Sequence, residues 1–135
     1  MIKTHFDNLT VEDSGIHTLN GQPFTGVAHD EFSSGLLRSE ATFVDGHQEG
    51  RCREWYENGQ IKLDSEYLGN GKHGPYKEWH ENGQIKTEGY CEFGICVNAE
   101  EWDNTGRIVK HYVLDPSSWS FQLLEKKRRL WSNGK

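Results

Sequence analysis

The sequence predicts a mainly β fold, an array of successive β-hairpins followed by one C-terminal helix. Three observations carry this. The word EWYENGQIK at residues 54–62 recurs as EWHENGQIK at 78–86, an offset of 24, with a degraded third copy, EWDNTGRIV, at 101–109. Asn-Gly, the dipeptide most favoured in two-residue hairpin turns, occupies the same place in both strong copies, flanked by aromatic and β-branched residues. The last twenty residues lack the repeat and carry helix start and stop signals instead. Composition agrees with an ordered chain that has a small core. Only 33% of the 135 residues are hydrophobic, yet 12% are aromatic and 15 Gly stand against 3 Pro, so large rings and tight turns are present while linker-like proline is not.

The repeat phase extends beyond the shared words. Gly26, Gly50 and Gly74 are spaced by 24, Asn98 occupies the next step, and turn glycines fall at Gly35, Gly59, Gly83 and Gly106. Four units therefore run from about residue 26 to 114. A partial unit, GIHTLNGQPFTG, precedes them with its own Asn20-Gly21 turn signal. Type I′ turns at Asn58-Gly59 and Asn82-Gly83 put Tyr56 opposite Ile61, Trp55 opposite Lys62 and Arg53 opposite Asp64, then His80 opposite Ile85, Trp79 opposite Lys86 and Lys77 opposite Glu88. Aligning the outer units on their turn glycines puts His29 opposite Glu40 and Glu100 opposite His111. One slot thus holds an opposite-charge pair in every unit, as cross-strand pairing favours, with the outer two requiring a charged His. Because 24 is even, Trp55 and Trp79 share a face, and Trp102 joins them.

After Leu114 the chain reads DPSSWSFQLLEKKRRLWSNGK. Asp115 or Ser117 suits an N-cap, Pro116 a first turn and Asn133-Gly134 a stop, which predicts a helix from about 117 to 131. Leu123/Leu130 and Leu124/Trp131 recur seven apart on one side. The expected division is a hairpin-repeat domain over 1–115 and a basic amphipathic helix over 116–135, packed on the array and covering its last open edge. Lys126, Lys127, Arg128 and Arg129 form its solvated basic side.

The words YENGQIK and HENGQIK, the G-x-x-x-x-W spacing and the opening LNGQPFTG resemble the MORN-type repeat, in the bacterial variant found in antitoxins of the YwqK-like family. The resemblance covers roughly residues 16–114. It implies an elongated twisted sheet of successive hairpins and a non-catalytic interaction module, several members being immunity proteins that neutralise a toxin made beside them. Residues 26–49 depart from the pattern with DEFSSGLLR in place of an ENGQ turn, and residues 98–114 with DNTG, as terminal repeats commonly do.

Charge and motif content narrow the function. Fifteen basic residues against 21 acidic give a net charge of −6, which argues against nucleic acid and fits a basic protein partner. The charge divides into an acidic body and a basic tail: residues 1–115 hold 10 basic and 20 acidic side chains, residues 116–135 hold 5 and 1. No run approaches the length of a membrane span and the start lacks a secretory core, so a cytoplasmic location is expected. Cys52, Cys91 and Cys96 are odd in number without CxxC spacing and are expected as reduced thiols, and no metal site or cofactor is expected. His80-Glu81 and His29-Asp30-Glu31 are accidental pairs rather than catalytic ones, because His80 follows the repeat position of Tyr56 and Glu81 that of Glu57, and no catalytic motif occurs. The expected function is that of a non-enzymatic immunity protein that occludes the basic cleft of a cognate toxin. Glu54, Glu78, Glu81 and Glu101 serve as decoy anions, and Trp55, Tyr56, Trp79, His80 and Trp102 supply contact area. The alternative is a scaffold that tethers other proteins or membrane lipids.

Overall fold

A computed structural model describes residues 1–134. In chain order it contains β1 (Ile2–His5), a single 3-10 turn (Phe6–Asn8), β2 (Leu9–Val11), β3 (His17–Leu19), β4 (Gln22–Pro23), β5 (Gly26–Glu31), β6 (Leu37–Val44) and β7 (His47–Trp55). There follow β8 (Ile61–Leu68), β9 (Gly71–Lys72), β10 (Gly74–Trp79), β11 (Ile85–Glu92), β12 (Ile95–Trp102), β13 (Ile108–Val113) and α1 (Trp119–Asn133). One long sheet runs β1-β5-β6-β7-β8-β10-β11-β12-β13, with β9 paired to β8, and β2-β3-β4 form a separate small sheet. Every pairing in the long sheet is antiparallel except that β1 lies parallel to β5, Ile2 opposite Gly26 through His5 opposite His29. That strand carries no repeat word and was invisible to the periodicity.

The hairpin turns come in two kinds, and this corrects the type I′ assignment at Asn58-Gly59 and Asn82-Gly83. Neither asparagine has a positive φ; only Gly59 and Gly83 do, at +87° and +89°. The Tyr56 N–H donates to the Gln60 carbonyl at 2.8 Å and the Gly59 N–H to the Tyr56 carbonyl at 3.0 Å. This is a three-residue loop, a type I turn closed by a left-handed glycine. The same two bonds recur at Glu12–Ile16, Phe32–Leu36, His80–Gln84 and Asp103–Arg107. True two-residue loops with both central residues at positive φ lie at the opposite ends of the strands, at Asn20-Gly21, Asp45-Gly46, Gly69-Asn70 and Phe93-Gly94.

The longer loop moves Trp55 opposite Ile61 rather than Lys62, and Trp79 opposite Ile85 rather than Lys86. A bulge between Glu54 and Trp55 then places two residues of β8 against one step of β7. The two one-residue displacements cancel. Beyond the bulge Arg53 faces Asp64, Lys77 faces Glu88, His29 faces Glu40 and Glu100 faces His111, as the sequence predicts.

The core sits at the N-terminal end. Ala28, Ala41 and Cys52 register in one row on one face of the long sheet, and Phe24 and Phe43, each 2% exposed, pack over it with Phe6, Leu9 and Leu19. The small sheet thus covers that face at this end. Small residues in the row allow the close approach of a second layer.

Successive units are joined at their loops by the repeated words themselves. The Tyr56 hydroxyl donates to the Trp79 carbonyl at 2.7 Å, and His80 Nε2 meets the Trp102 carbonyl at 2.8 Å. Asn58 and Asn82 each bond a carbonyl of the next loop, Glu81 at 3.2 Å and Asn104 at 2.9 Å. Burial, with the charges of Glu81 and Glu78, pushes the Tyr56 phenol up, so it remains a donor throughout the neutral range. Tyr56→Phe is expected to cost about 1 kcal/mol, because the Trp79 carbonyl loses a partner while the ring stays; a urea midpoint shift without a change in slope checks it.

Candidate partner-binding surface

Strand alternation sorts the side chains between two faces. One face carries a charged row that crosses every main strand: His5, His29, Glu40, Arg53, Asp64, Lys77, Glu88, Glu100 and His111 are consecutive cross-strand neighbours. Arg53 pairs with Glu40, Lys77 with Glu88 at 3.9 Å and His111 with Glu100 at 3.3 Å. Asp64 turns instead to Arg51, 2.7 Å away on the same face, and this hydrogen bond holds its carboxyl below the ordinary aspartate range. Glu88 and Glu100 are the two carboxylates set side by side along the row. Trp55, Trp79 and Trp102 follow on this face toward the loop ends. All three are half-buried, and the Arg53 guanidinium lies 5.3 Å from the Trp55 ring centre.

The opposite face carries Glu54, Glu78 and Glu101, brought into one row with Leu63 and Thr87 between them. Among the described residues no ion pair engages these three glutamates. Beside them Tyr76, Gly89, Ala99 and Tyr112 form the neighbouring row. Tyr76 lies over Gly89 so closely that a Cβ there would sit 2.6 Å from the ring. Tyr76, Cys96, Ala99, Glu101, Lys110 and Tyr112 line a cleft of about 240 Å³. Burial, then the neighbouring Cys96, pushes the Tyr76 hydroxyl well up and Cys91 up to about 12, so both stay neutral.

The structure therefore divides the nine sequence candidates. Glu54, Glu78 and Glu101 share one face, Trp55, Trp79 and Trp102 the other, and Tyr56 and His80 reach across to the next unit. Glu81 is exposed in its loop. Large exposed apolar groups also lie away from these candidates, among them Ile108, Val109 and Val113 on β13 and Trp119, Leu130 and Trp131 on α1. Their signal was present in the chain, since β13 has no following unit to cover it.

Helix α1 begins two residues later than expected. Ser118 caps it by accepting the Phe121 N–H at 3.1 Å, while the Asp115 carboxylate accepts the Ser117 N–H at 2.9 Å and is not the cap. Leu124 is the fully buried helical residue, and all six residues of β13 are exposed, so the helix does not lie along the last edge. It docks instead on the β11–β12 turn. Lys127 donates to the Phe93 carbonyl at 3.1 Å, Arg128 bonds Glu92 at 3.0 Å and the Trp131 ring lies tilted against Phe93 at 5.9 Å. Two of the four residues expected as a solvated basic side are thus used in docking. The helix and the two-residue turns bound a cleft of about 550 Å³ lined by Glu49, Leu68, Asn70, Phe93, Leu130 and Trp131 among others.

The Arg128 hydrogen bond holds the Glu92 carboxyl below its ordinary value against the opposing effect of burial. A depressed carboxylate stabilises the docked form above its ordinary value of 4.5 and loses that contribution as pH falls through the folded value. Acid titration is expected to release α1 before the sheet melts, read as a change in Trp131 fluorescence that Arg128→Ala removes.

The MORN repeat variant family matches residues 48–68 and 72–90, the stretch spanning the two intact turn words. The chain is 46% identical over 114 residues to Immunity protein YwqK of Bacillus subtilis (strain 168), an alignment covering 84% of this chain and 74% of that protein. No solved structure matches the chain. Among the described residues no helix is long and apolar enough to cross a membrane. Hairpins of period 24, their loop-to-loop struts and this identity lead to one assignment: the chain belongs to the YwqK-like family of MORN-repeat proteins.

Proposed function

We propose that this chain is a non-enzymatic immunity protein that binds a cognate bacterial toxin in the cytoplasm and neutralises it by occlusion. The observation that carries this reading is the 46% identity to a protein named for immunity. The unpaired row of Glu54, Glu78 and Glu101 supports the electrostatic part. Three carboxylates presented in register, with Tyr76 and Tyr112 beside them, suit a basic substrate cleft, where Arg and Lys of the toxin gain partners and the tyrosines supply contact area. The tryptophan face, with its charges already paired internally, is the poorer electrostatic lure.

The test is toxin neutralisation by a Glu54→Lys, Glu78→Lys, Glu101→Lys variant in cells expressing the cognate toxin. Affinity is expected to fall by about 100-fold or more, with the association rate losing its salt dependence. Unchanged neutralisation would remove the decoy mechanism. The MORN repeat also fits a scaffold that tethers proteins or lipids, and flotation with anionic vesicles separates the lipid version from toxin binding.

A further inference from the structure

We propose that His5, Asp30 and Glu31 form a binding site for a zinc-class divalent cation at the N-terminal edge of the sheet. The three residues present donor atoms that all lie within 4.8 Å of one another. His5 Nε2 is 3.3 Å from Asp30 Oδ1 and 3.5 Å from Glu31 Oε2. In a tetrahedral site with bonds of about 2.0–2.2 Å, ligand atoms stand about 3.3–3.5 Å apart, so these two separations need almost no adjustment. One imidazole and two carboxylates leave the fourth position to water, the donor set of borderline ions such as zinc rather than of magnesium.

Two further observations support a site here. Glu31 departs from the repeat: it occupies, counted from the turn glycine, the position of Trp55, Trp79 and Trp102 in the other units. The unit that departs is the one against which β1 pairs, and β1 ends on His5. The surroundings are also arranged around the three ligands. Asp7 Oδ2 lies 3.4 Å from His5 Nδ1, and the buried Nδ1 of His29 lies against the second oxygen of Glu31. Arg38 holds Asp30 through Oδ2, while Oδ1 accepts the Glu31 N–H at 2.9 Å and turns its other lone pair toward His5. Asp7, Asp30 and Glu31 against Arg38 leave two negative charges, matched to a divalent ion.

Binding requires one proton rearrangement. In the metal-free chain His5 Nδ1 accepts the Asp7 backbone N–H at 3.1 Å, which places the ring proton of a neutral imidazole on Nε2. On loading, Nε2 gives its electron pair to the ion and releases its proton to solvent, Nδ1 takes up a proton in its place, and the ring exchanges the bond it accepted from the Asp7 N–H for one that Nδ1 donates to the Asp7 carboxylate. The ion ties β1 to β5 and does not depend on toxin binding.

The test is calorimetric titration of the full chain with zinc chloride, with magnesium chloride as comparison. One zinc per chain is expected, with at least 100-fold weaker binding in His5→Gln and in Glu31→Gln, about 10-fold weaker binding in Asp7→Ala, and no change in His111→Gln. Zinc is also expected to slow amide exchange in Ile2–His5. Glu31→Gln leaves β1 intact, so a loss there cannot be attributed to unfolding of that strand. Absence of saturable zinc binding, retention of it in His5→Gln, or an equal loss in His111→Gln overturns the site and leaves the immunity function untouched.

Discussion

Phe43→Ala is expected to destabilise the protein by about 3–5 kcal/mol, the range for removing a buried phenylalanine. Phe43 is 2% exposed and its ring lies 4.8 Å from His17, 5.8 Å from Phe24 and 6.4 Å from Phe6, groups drawn from three separate segments. With seven buried hydrophobic residues among the described ones, no neighbouring layer can refill the space. The loss should be local at first. In a repeat array each unit is stabilised by its neighbours, so the small sheet is expected to open while the units around Tyr56 and His80 persist. Urea unfolding followed separately by amide exchange at Thr18 and at Thr87 checks this: the wild type melts as one unit, the variant in two steps. A single unshifted transition would mean that Phe43 does not link the two sheets.

Gly26→Ala is the second large effect, expected at about 3 kcal/mol, at the residue that faces Phe43 across the β5–β6 pair. A Cβ at Gly26 would sit 2.2 Å from the Ile2 carbonyl oxygen and 2.9 Å from the Phe24 ring. The first obstacle is backbone, which cannot swing aside as a side chain does, so β1 must leave β5. Gly35→Ala provides the contrast. That glycine has φ +90° with nothing within 4 Å, so only the left-handed conformation opposes the methyl group, at about 1–2 kcal/mol. Faster amide exchange throughout Ile2–His5 in Gly26→Ala, and none in Gly35→Ala, is the expected pattern.

How much of this was legible in the chain depended on whether the signal was local. The repeated words with their glycines determined strand order from β5 to β13, and the charge pairs fixed register even though the loop type was misread. Asn58-Gly59 is a two-residue turn signal only when both residues take positive φ, and the additional residue at Lys62 absorbed the difference. The parallel strand β1 has no such marker: its partner is more than twenty residues away, and its evidence is one missing Cβ at Gly26. For the surface, the sequence named Glu54, Glu78 and Glu101 and the three tryptophans correctly as recurrent positions. Their adjacent numbers concealed that consecutive strand residues point to opposite faces. Tyr56 and His80 looked like contact residues because both are large and polar; their role as struts depends on a carbonyl one unit away.

Those struts bear on how such a molecule changes length. Each runs from a loop to the backbone of the following loop, and the acceptors are carbonyls, which any residue provides. At the final loop Asp103 occupies the strut position and directs its carboxylate inward to Thr105 and Arg107 of its own turn. In-frame duplication of 24 residues between Tyr56 and Trp79 would therefore give the newcomer ready-made partners on both sides, with the terminal loop still closed on itself. Gene-level growth and shrinkage of the binding surface are open to this fold in whole-unit steps, without redesign of any existing contact.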